Sequence, residues 1–351
     1  MQARTIIAAA VAALLLAAGA AQTYAQSWEI ESVANFCWEN SIALDPAGQP
    51  HIVYIGNGGS LHYAACTGSG WHDYTVNGGE THTPRLAVAP DGTVHIAYAI
   101  RQNPLTGIWH ASFDGAAWDK ERVGDETGPL TLTLDPSGEP QIRTDVDCMV
   151  FDAQGTQHWV RRNWLGEANW EIRYGVSGEA EVVAVSNLSL PRELRLAVDA
   201  TGLAHLTYQQ ADVLYYVFGH DASWSKEMVS SVGSGAYTGL AVDEAGTPHV
   251  SFEYCSGPSY PGDSPKELRY GVRSDGEWYM ETIDTAEASC GLFTDLVLDS
   301  LGRAHISYDF YTGIWGINPE LRYAVYVPEP ATLALLALGG LVVMKRRRAG
   351  K

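Results

Sequence analysis

Positive charge is what this chain has least of. Its 351 residues hold 22 Lys and Arg against 41 Asp and Glu. Six of the basic residues, Arg4 and the five from Lys345 onward, sit in the two chain ends, so the long middle keeps only 16. Such a surface repels phosphate backbones and anionic headgroups, which excludes nucleic acid as a partner. Long apolar runs are also missing. The stretch Ala331 to Met344 is 14 residues, short of the ~20 that span a bilayer comfortably. Cysteine is sparse and odd in number, at five, so at least one thiol has no partner within the chain. No Gly-rich phosphate loop, nucleophile elbow or HExxH helix is present, so none of those chemistries is announced.

What is present begins with two processing signals. Residues 1–25 carry Arg4, an apolar run from Ile6 to Ala18, and Thr23-Tyr24-Ala25 with small residues at the −3 and −1 positions. That order reads as a secretory signal peptide. Residues 327–351 run Pro328-Glu329-Pro330, an apolar segment, then Lys345 and Arg346 to Arg348. Terminal positive charge holds that end on the cytoplasmic side. The three parts in this order resemble the PEP-CTERM sorting signal. The resemblance implies an exosortase-type processing enzyme as partner and transient membrane anchoring through a short C-terminal helix. It implies a cell-surface or extracellular location in bacteria that make exopolysaccharide.

Residues 26–326 are a repeat. An aliphatic strand ends in Asp, a Gly turn follows, then His opens a second strand, and a third and a Trp-led fourth complete the unit. It reads IALDPAGQPHIVYI from Ile42, LAVAPDGTVHIAYA from Leu86, LAVDATGLAHLTYQ from Leu196, LAVDEAGTPHVSFE from Leu240 and LVLDSLGRAHISYD from Leu296. Between the units from Leu86 and Leu196, TLDPSGEPQIRTD, TQHWVRR and WEIRYGV form the third copy of six, with Ser177 to Pro191 as a long insert. The last unit lacks its Trp strand, and WEIESV from Trp28 supplies one at the other end of the chain. The expected fold is therefore all-β: a six-bladed β-propeller of four-stranded antiparallel blades, closed by the N-terminal strand completing the last blade. The repeat resembles the Asp/Gly/His repeats of sialidase- or BNR-like propellers, with Asp114-Gly115 and Asp275-Gly276 as partial Asp boxes. Sialidases would imply three arginines and a Tyr–Glu pair; only two arginines can be placed.

The repeated Asp and His residues, Asp45 with His51 through Asp299 with His305, flank short turns where each can bond locally. They read as structural rather than as a metal ring, and the repeated Trp as packing between blades. Function is expected on the face that gathers the unequal loops. That face offers Tyr254, Tyr260, Tyr311 and Trp315 as platforms for sugar rings, with carboxylates that bond hydroxyls or hold Ca²⁺. Four residues before the anchor Asp, near the axis, stand Ser41, Arg85, Thr131, Arg195, Gly239 and Asp295, of which Arg85 and Arg195 can grip a carboxylate. No cofactor is required by any motif. Cys290 can face Cys255 in blade 5 or Cys37 in blade 1; a Cys37–Cys290 bridge across the closure is favoured. The expected function is a non-catalytic binding or scaffold propeller for polysaccharide or protein partners. The alternative is a carbohydrate-active propeller enzyme, a glycoside hydrolase or polysaccharide lyase.

Overall fold

The computed structural model describes residues 27–101, 105–125, 128–179, 181–221, 223–231, 234–255, 266–311 and 319–327. The signal peptide, Pro328-Glu329-Pro330 and the apolar stretch after it lie outside these residues. Among the described residues, no helix is long and apolar enough to cross a membrane.

The chain begins with β1 (Ser27–Ala34) and then makes blade 1 from β2 (Asn40–Leu44), β3 (Pro50–Ile55), β4 (Leu61–Thr67) and β5 (Gly70–Asn77). Blade 2 is β6 (Thr81–Val88), β7 (Val94–Ile100), β8 (Gly107–Phe113) and β9 (Trp118–Gly124). A two-stranded sheet follows, β10 (Thr131–Leu134) with β11 (Pro140–Arg143). Blade 3 is β12 (Cys148–Phe151), β13 (Gln157–Gly166), β14 (Asn169–Val176) and β15 (Val182–Leu188). Blade 4 is β16 (Arg192–Val198), β17 (Ala204–Gln210), β18 (Val213–His220) and β19 (Ser223–Ser230). Blade 5 is β20 (Ser234–Val242), β21 (Pro248–Cys255), β22 (Lys266–Ser274) and β23 (Glu277–Ala286). Blade 6 joins β24 (Ser289–Leu298), β25 (Ala304–Tyr311) and β26 (Pro319–Val327) to β1, in the order β1-β26-β25-β24.

The six four-stranded blades and the closure by the N-terminal strand are as the repeat implies. The two-stranded sheet is not. Residues 131–143, expected as the inner half of blade 3, stand alone. Blade 3 starts instead at Cys148, takes Trp170 into its third strand, and draws its fourth strand from the expected insert. Within Ile30–Val325 the innermost strands follow one another as β2, β6, β10, β12, β16, β20, β24 and back to β2. Outside that unit, the Trp28 ring meets Tyr326 edge-on at 5.8 Å.

The first-to-second turns that carry an anchor Asp are built alike. Asp45 Oδ1 accepts the N–H groups of Ala47 and Gln49, and Gly48 N–H donates to the Asp45 carbonyl at φ +77°. The left-handed φ calls for glycine. Asp135, Asp152, Asp199, Asp243 and Asp299 repeat the pattern. The His on the next strand then links turn to blade. His51 Nδ1 lies 2.5 Å from the Tyr63 hydroxyl, and the same pairing joins His158 to Tyr174, His205 to Tyr216, His249 to Tyr270 and His305 to Tyr323. In blade 2, where Ala89 replaces the anchor, His95 stacks on His110 instead. Four of these tyrosines in turn meet a Trp from the following blade: Trp71 on Tyr323, Trp118 on Tyr63, Trp224 on Tyr174, Trp278 on Tyr216. Edge-to-face pairs of this kind add to burial, so the repeated Trp does pack between blades.

Candidate functional site

Four innermost strands break their ladder at one point. In β6, β16, β20 and β24 the register shifts just before the axial position. There Thr83, Glu193, Tyr237 and Phe293 adopt φ of 50°, 51°, 84° and 49°. All four lie six residues before the turn anchor. Left-handed backbone at β-branched and aromatic residues is strained, and strain of this kind gathers at functional positions. The Tyr237 and Phe293 rings meet at a 36° tilt with centroids 4.0 Å apart. Glu39, at the same position in blade 1, accepts the Thr83 N–H through Oε2 at 2.5 Å. Burial, then the charges of Glu193 and Glu39, push the Tyr237 hydroxyl up to about 12.

Two residues further on comes the axial set: Ser41, Arg85, Thr131, Cys148, Arg195, Gly239 and Asp295. Cys148 belongs to it because blade 3 begins with Cys148, four residues before Asp152. Arg85 and Arg195 each donate one Nη1 bond to the preceding carbonyl, of Pro84 at 2.9 Å and Leu194 at 3.2 Å. Burial lowers the Arg85 pKa and the neighbouring Arg195 charge lowers it further, against the pull of Asp295 and Glu39. Burial raises the Cys148 thiol, and Arg195 and Arg85 oppose it. Two guanidiniums, a thiol and two carboxylates are thus close enough to act on one another. Gly239 leaves the space: a Cβ there would come 2.6 Å from both Leu296 Cβ and Ser251 Oγ.

The carboxylates here are occupied. Asp295 Oδ2 accepts Ser41 Oγ at 3.0 Å and Ile42 N–H at 3.1 Å, which ties blade 6 to blade 1. Asp309 is fully buried and accepts Asn40 Nδ2 at 3.0 Å, while Ser307 Oγ donates to Asn40 Oδ1 at 2.6 Å. Burial holds Asp309 well above the usual carboxylate range, against hydrogen bonds from Cys37 and Asn40. Glu253 is raised by burial too, although Ser289 Oγ donates to it at 2.7 Å.

The structure therefore brings Arg85, Arg195 and Asp295 together, and leaves the aromatic candidates elsewhere. Tyr254 is covered by the Arg269 guanidinium, 3.4 Å above its ring. Tyr311 is buried and bonded to Asp309. Neither offers a free ring face. Tyr260 and Trp315 lie outside the described residues. The Cys37–Cys290 bridge is not formed, and none of the five cysteines is in a disulfide. Cys37 Sγ sits 3.8 Å from the Glu39 carbonyl, beside Asp309 of blade 6. Cys290 turns the other way, toward the Leu268 backbone and Asp284 of blade 5. Among the described residues, no group of three or more His, Cys, Asp or Glu is arranged to hold a metal ion.

Sequence spacing found Arg85, Arg195 and Asp295, but missed Cys148, Glu193, Tyr237 and Phe293. For Cys148 the signal was present: Asp152, Gly155 and His158 repeat the turn spacing of Asp45, Gly48 and His51. The bulge residues have no shared chemistry, so nothing in the sequence marks them.

Comparisons with known proteins agree with this architecture. The PEP-CTERM protein-sorting motif matches residues 327–348. No curated protein sequence matches the chain. Among solved structures, a mutant Aleuria aurantia lectin in complex with Fucα1-6GlcNAc is similar with TM-score 0.51 and 13% identity, over 85% of this chain and 98% of that one. An α-L-arabinofuranosidase of Fusarium graminearum with an iminosugar inhibitor is similar with TM-score 0.53 and 12% identity, over 88% and 99%. A fungal alcohol oxidase with copper is similar with TM-score 0.53 and 8% identity, over 86% and 76%. At such identities the likeness is one of fold, and a lectin and two enzymes share it. The chain is an all-β propeller that ends in a PEP-CTERM sorting motif.

Proposed function

We propose that this is an exosortase-sorted propeller that binds acidic polysaccharide at the cell surface without transforming it. One observation carries the reading. Near the axis Arg85 and Arg195 stand together; Asp295 and Glu39 are spent on bonds between blades, and Glu193 Oε2 lies 4.0 Å from Arg195 Nη1, at the outer limit of an ion pair. Guanidiniums with donors left over bind a carboxylate well. Hydrolysis of a glycosidic bond calls instead for two carboxyl groups facing the substrate. The sorting motif supports export and exosortase processing, in keeping with a ligand met outside the cell. The net acidity of the chain limits binding to this local basic spot, so the interaction weakens with salt.

The test is a glycan array paired with a reducing-sugar release assay. Retention of uronic-acid polymers without release of reducing ends is the expected result, and Arg85→Ala with Arg195→Ala should abolish retention. Turnover of a uronate polymer at enzyme-like rates would establish the alternative, a hydrolase or lyase. Its acid would then be Glu253 or Asp309, the two carboxyls whose pKa burial raises.

A further inference from the structure

One histidine of blade 1 stands outside the repeat. His62 lies at the start of β4, and its ring is bonded at both nitrogens. His62 Nδ1 is 3.0 Å from Asp73 Oδ2 on β5, and its Nε2 is 2.9 Å from Ser60 Oγ. His62 pairs with Tyr54 on the neighbouring strand; the same place holds Trp109, Tyr215, Arg269 and Arg322 in blades 2, 4, 5 and 6. Asp73 pairs with Ala64, and its place is taken by Lys120, Lys226 and Met280 in blades 2, 4 and 5. The packing of a blade therefore asks for neither the histidine nor the acid.

Each of the three side chains is fixed. The Tyr54 ring stacks on His62 with centroids 5.1 Å apart, and its hydroxyl donates to Asp73 Oδ1 at 2.8 Å. Burial opposes ionisation of Asp73, yet the bonds from His62 and Tyr54 hold its pKa below the usual value. Ionised Asp73 accepts the Nδ1 proton of His62, which leaves Nε2 as an acceptor. The Ser60 hydroxyl has two acceptors, the Asn57 carbonyl at 3.1 Å and His62 Nε2, and only the second can take its proton. The loop before β4 is held as well. Gly56 N–H donates to the Ser60 carbonyl at 2.7 Å, and Thr81 Oγ1 of blade 2 donates to the Gly59 carbonyl at 2.7 Å. Gly56 makes room for the pair, since a Cβ there would come 2.8 Å from His62 Cδ2 and 3.1 Å from Ser60 Oγ. Ser60 is half-buried and the His62 side chain is 20% exposed, so solvent reaches both.

We propose that Ser60, His62 and Asp73 act as nucleophile, base and orienting acid in the hydrolysis of short-chain acyl esters, at a site separate from the axial one. A hydroxyl, an imidazole and a carboxylate bonded in this order form the activated nucleophile of acyl transfer on unrelated folds. Ser60 Oγ bonds to the ester carbonyl carbon as its proton passes to His62 Nε2. The ester C–O bond then breaks, and the alcohol leaves with that proton. Water attacks the acyl-serine and gives a proton to Nε2; the bond to Oγ breaks, Ser60 regains the proton and the carboxylic acid departs. Asp73 is a positioning residue that stays ionised and holds the ring. An alcohol leaves more readily than an amine, so the class is ester rather than amide. The turn beside Ser60 is Asn57, Gly58 and Gly59, which suits a short acyl group. Glycosidic bonds are left intact, so the reaction is independent of polymer binding by Arg85 and Arg195.

Hydrolysis of p-nitrophenyl acetate by the whole exported chain tests this, together with fluorophosphonate labelling assigned to single residues by mass spectrometry. The parent should release nitrophenol faster than buffer and carry the label on Ser60. Ser60→Ala and His62→Gln should each lower kcat/KM about 100-fold. Asp73→Asn should lower kcat with little change in KM. Ser69 gives an internal control: its Oγ lies 2.8 Å from His72 Nε2, but among the described residues no carboxylate pairs with His72. Ser69→Ala should keep full activity, and Ser69 should stay unlabelled. Labelling is read on the parent, so it decides the matter even where a variant fails to fold. A folded Ser60→Ala that hydrolyses the ester as fast as the parent overturns the proposal. So does a parent unlabelled at Ser60, or labelled equally at Ser69. Retention of acidic polymer at Arg85 and Arg195 is read separately, so either site can fail without the other.

Discussion

His205 Nδ1 lies 2.5 Å from the Tyr216 hydroxyl, while its Nε2 faces Asp199 Oδ2 at 3.5 Å. The tautomer that suits both neighbours carries its proton on Nε2 and accepts from tyrosine. His51, His249 and His305 are placed alike. Burial lowers the pKa of all four, and the Asp opposite offsets this only in part.

A pH dependence follows from that relationship. Between the lowered folded pKa and the unfolded value near 6.5 the unfolded chain binds more protons, so stability falls as pH drops through this window. Above 6.5 the contribution is complete and flat. Glu253 and Asp309, whose pKa values are raised, act in the opposite sense as pH falls toward about 4. Comparing His205→Gln with the parent at each pH removes their effect. Gln is the natural replacement, since Gln141 Nε2 donates to Asp135 Oδ2 at 3.3 Å. Urea midpoints should fall from pH 7.5 to 5.5 in the parent and less steeply in His205→Gln; parallel curves would refute the account.

The Trp–Tyr contacts between blades should be energetically coupled. Trp118 stands edge-on to Tyr63 at 5.5 Å and 79°. A double-mutant cycle of Trp118→Ala and Tyr63→Leu should show a coupling of about 0.5–1.5 kcal/mol. A coupling of zero would mean that ring geometry adds nothing to burial.

Gly239 is expected to be intolerant for a steric reason alone. Its φ is not in the left-handed range, yet a Cβ would press on Leu296 and Ser251. Gly239→Ala should cost about 1–3 kcal/mol. Gly68→Ala, with nothing within 4 Å of its Cβ, should change stability by less than about 0.5 kcal/mol. Thermal melts of the two variants side by side check this.

Removal of residues 26–34 should destabilise every blade, not only the sixth. It exposes the edge of β26 and removes the acceptor, Glu31 Oε2, that Trp71 Nε1 reaches across to at 2.8 Å. Loss of the cooperative transition, together with aggregation through the free edge, is the expected outcome in calorimetry and light scattering. A truncated chain that melts like the parent would show that ring closure contributes little.

Local chemistry was legible before any fold was known. An Asp that caps a turn, a Gly that takes its positive φ and a His six residues after the Asp act within one hairpin, so their spacing states the hairpin directly. The orphan strand at Trp28 was legible too, because an incomplete last unit needs a matching piece. The two-stranded sheet was not recognised, although Asp135 and Asp152 stand 17 residues apart where other anchors are at least 44 apart. The tertiary structure alone decided what stands opposite each face. Strand alternation tells which side chains share a side, but not which blade covers them. Only ring closure brings Arg85 within range of Arg195 and turns Cys290 toward blade 5 instead of Cys37. Those relationships join residues tens to hundreds of positions apart, and they exist because seven innermost strands must meet around one axis.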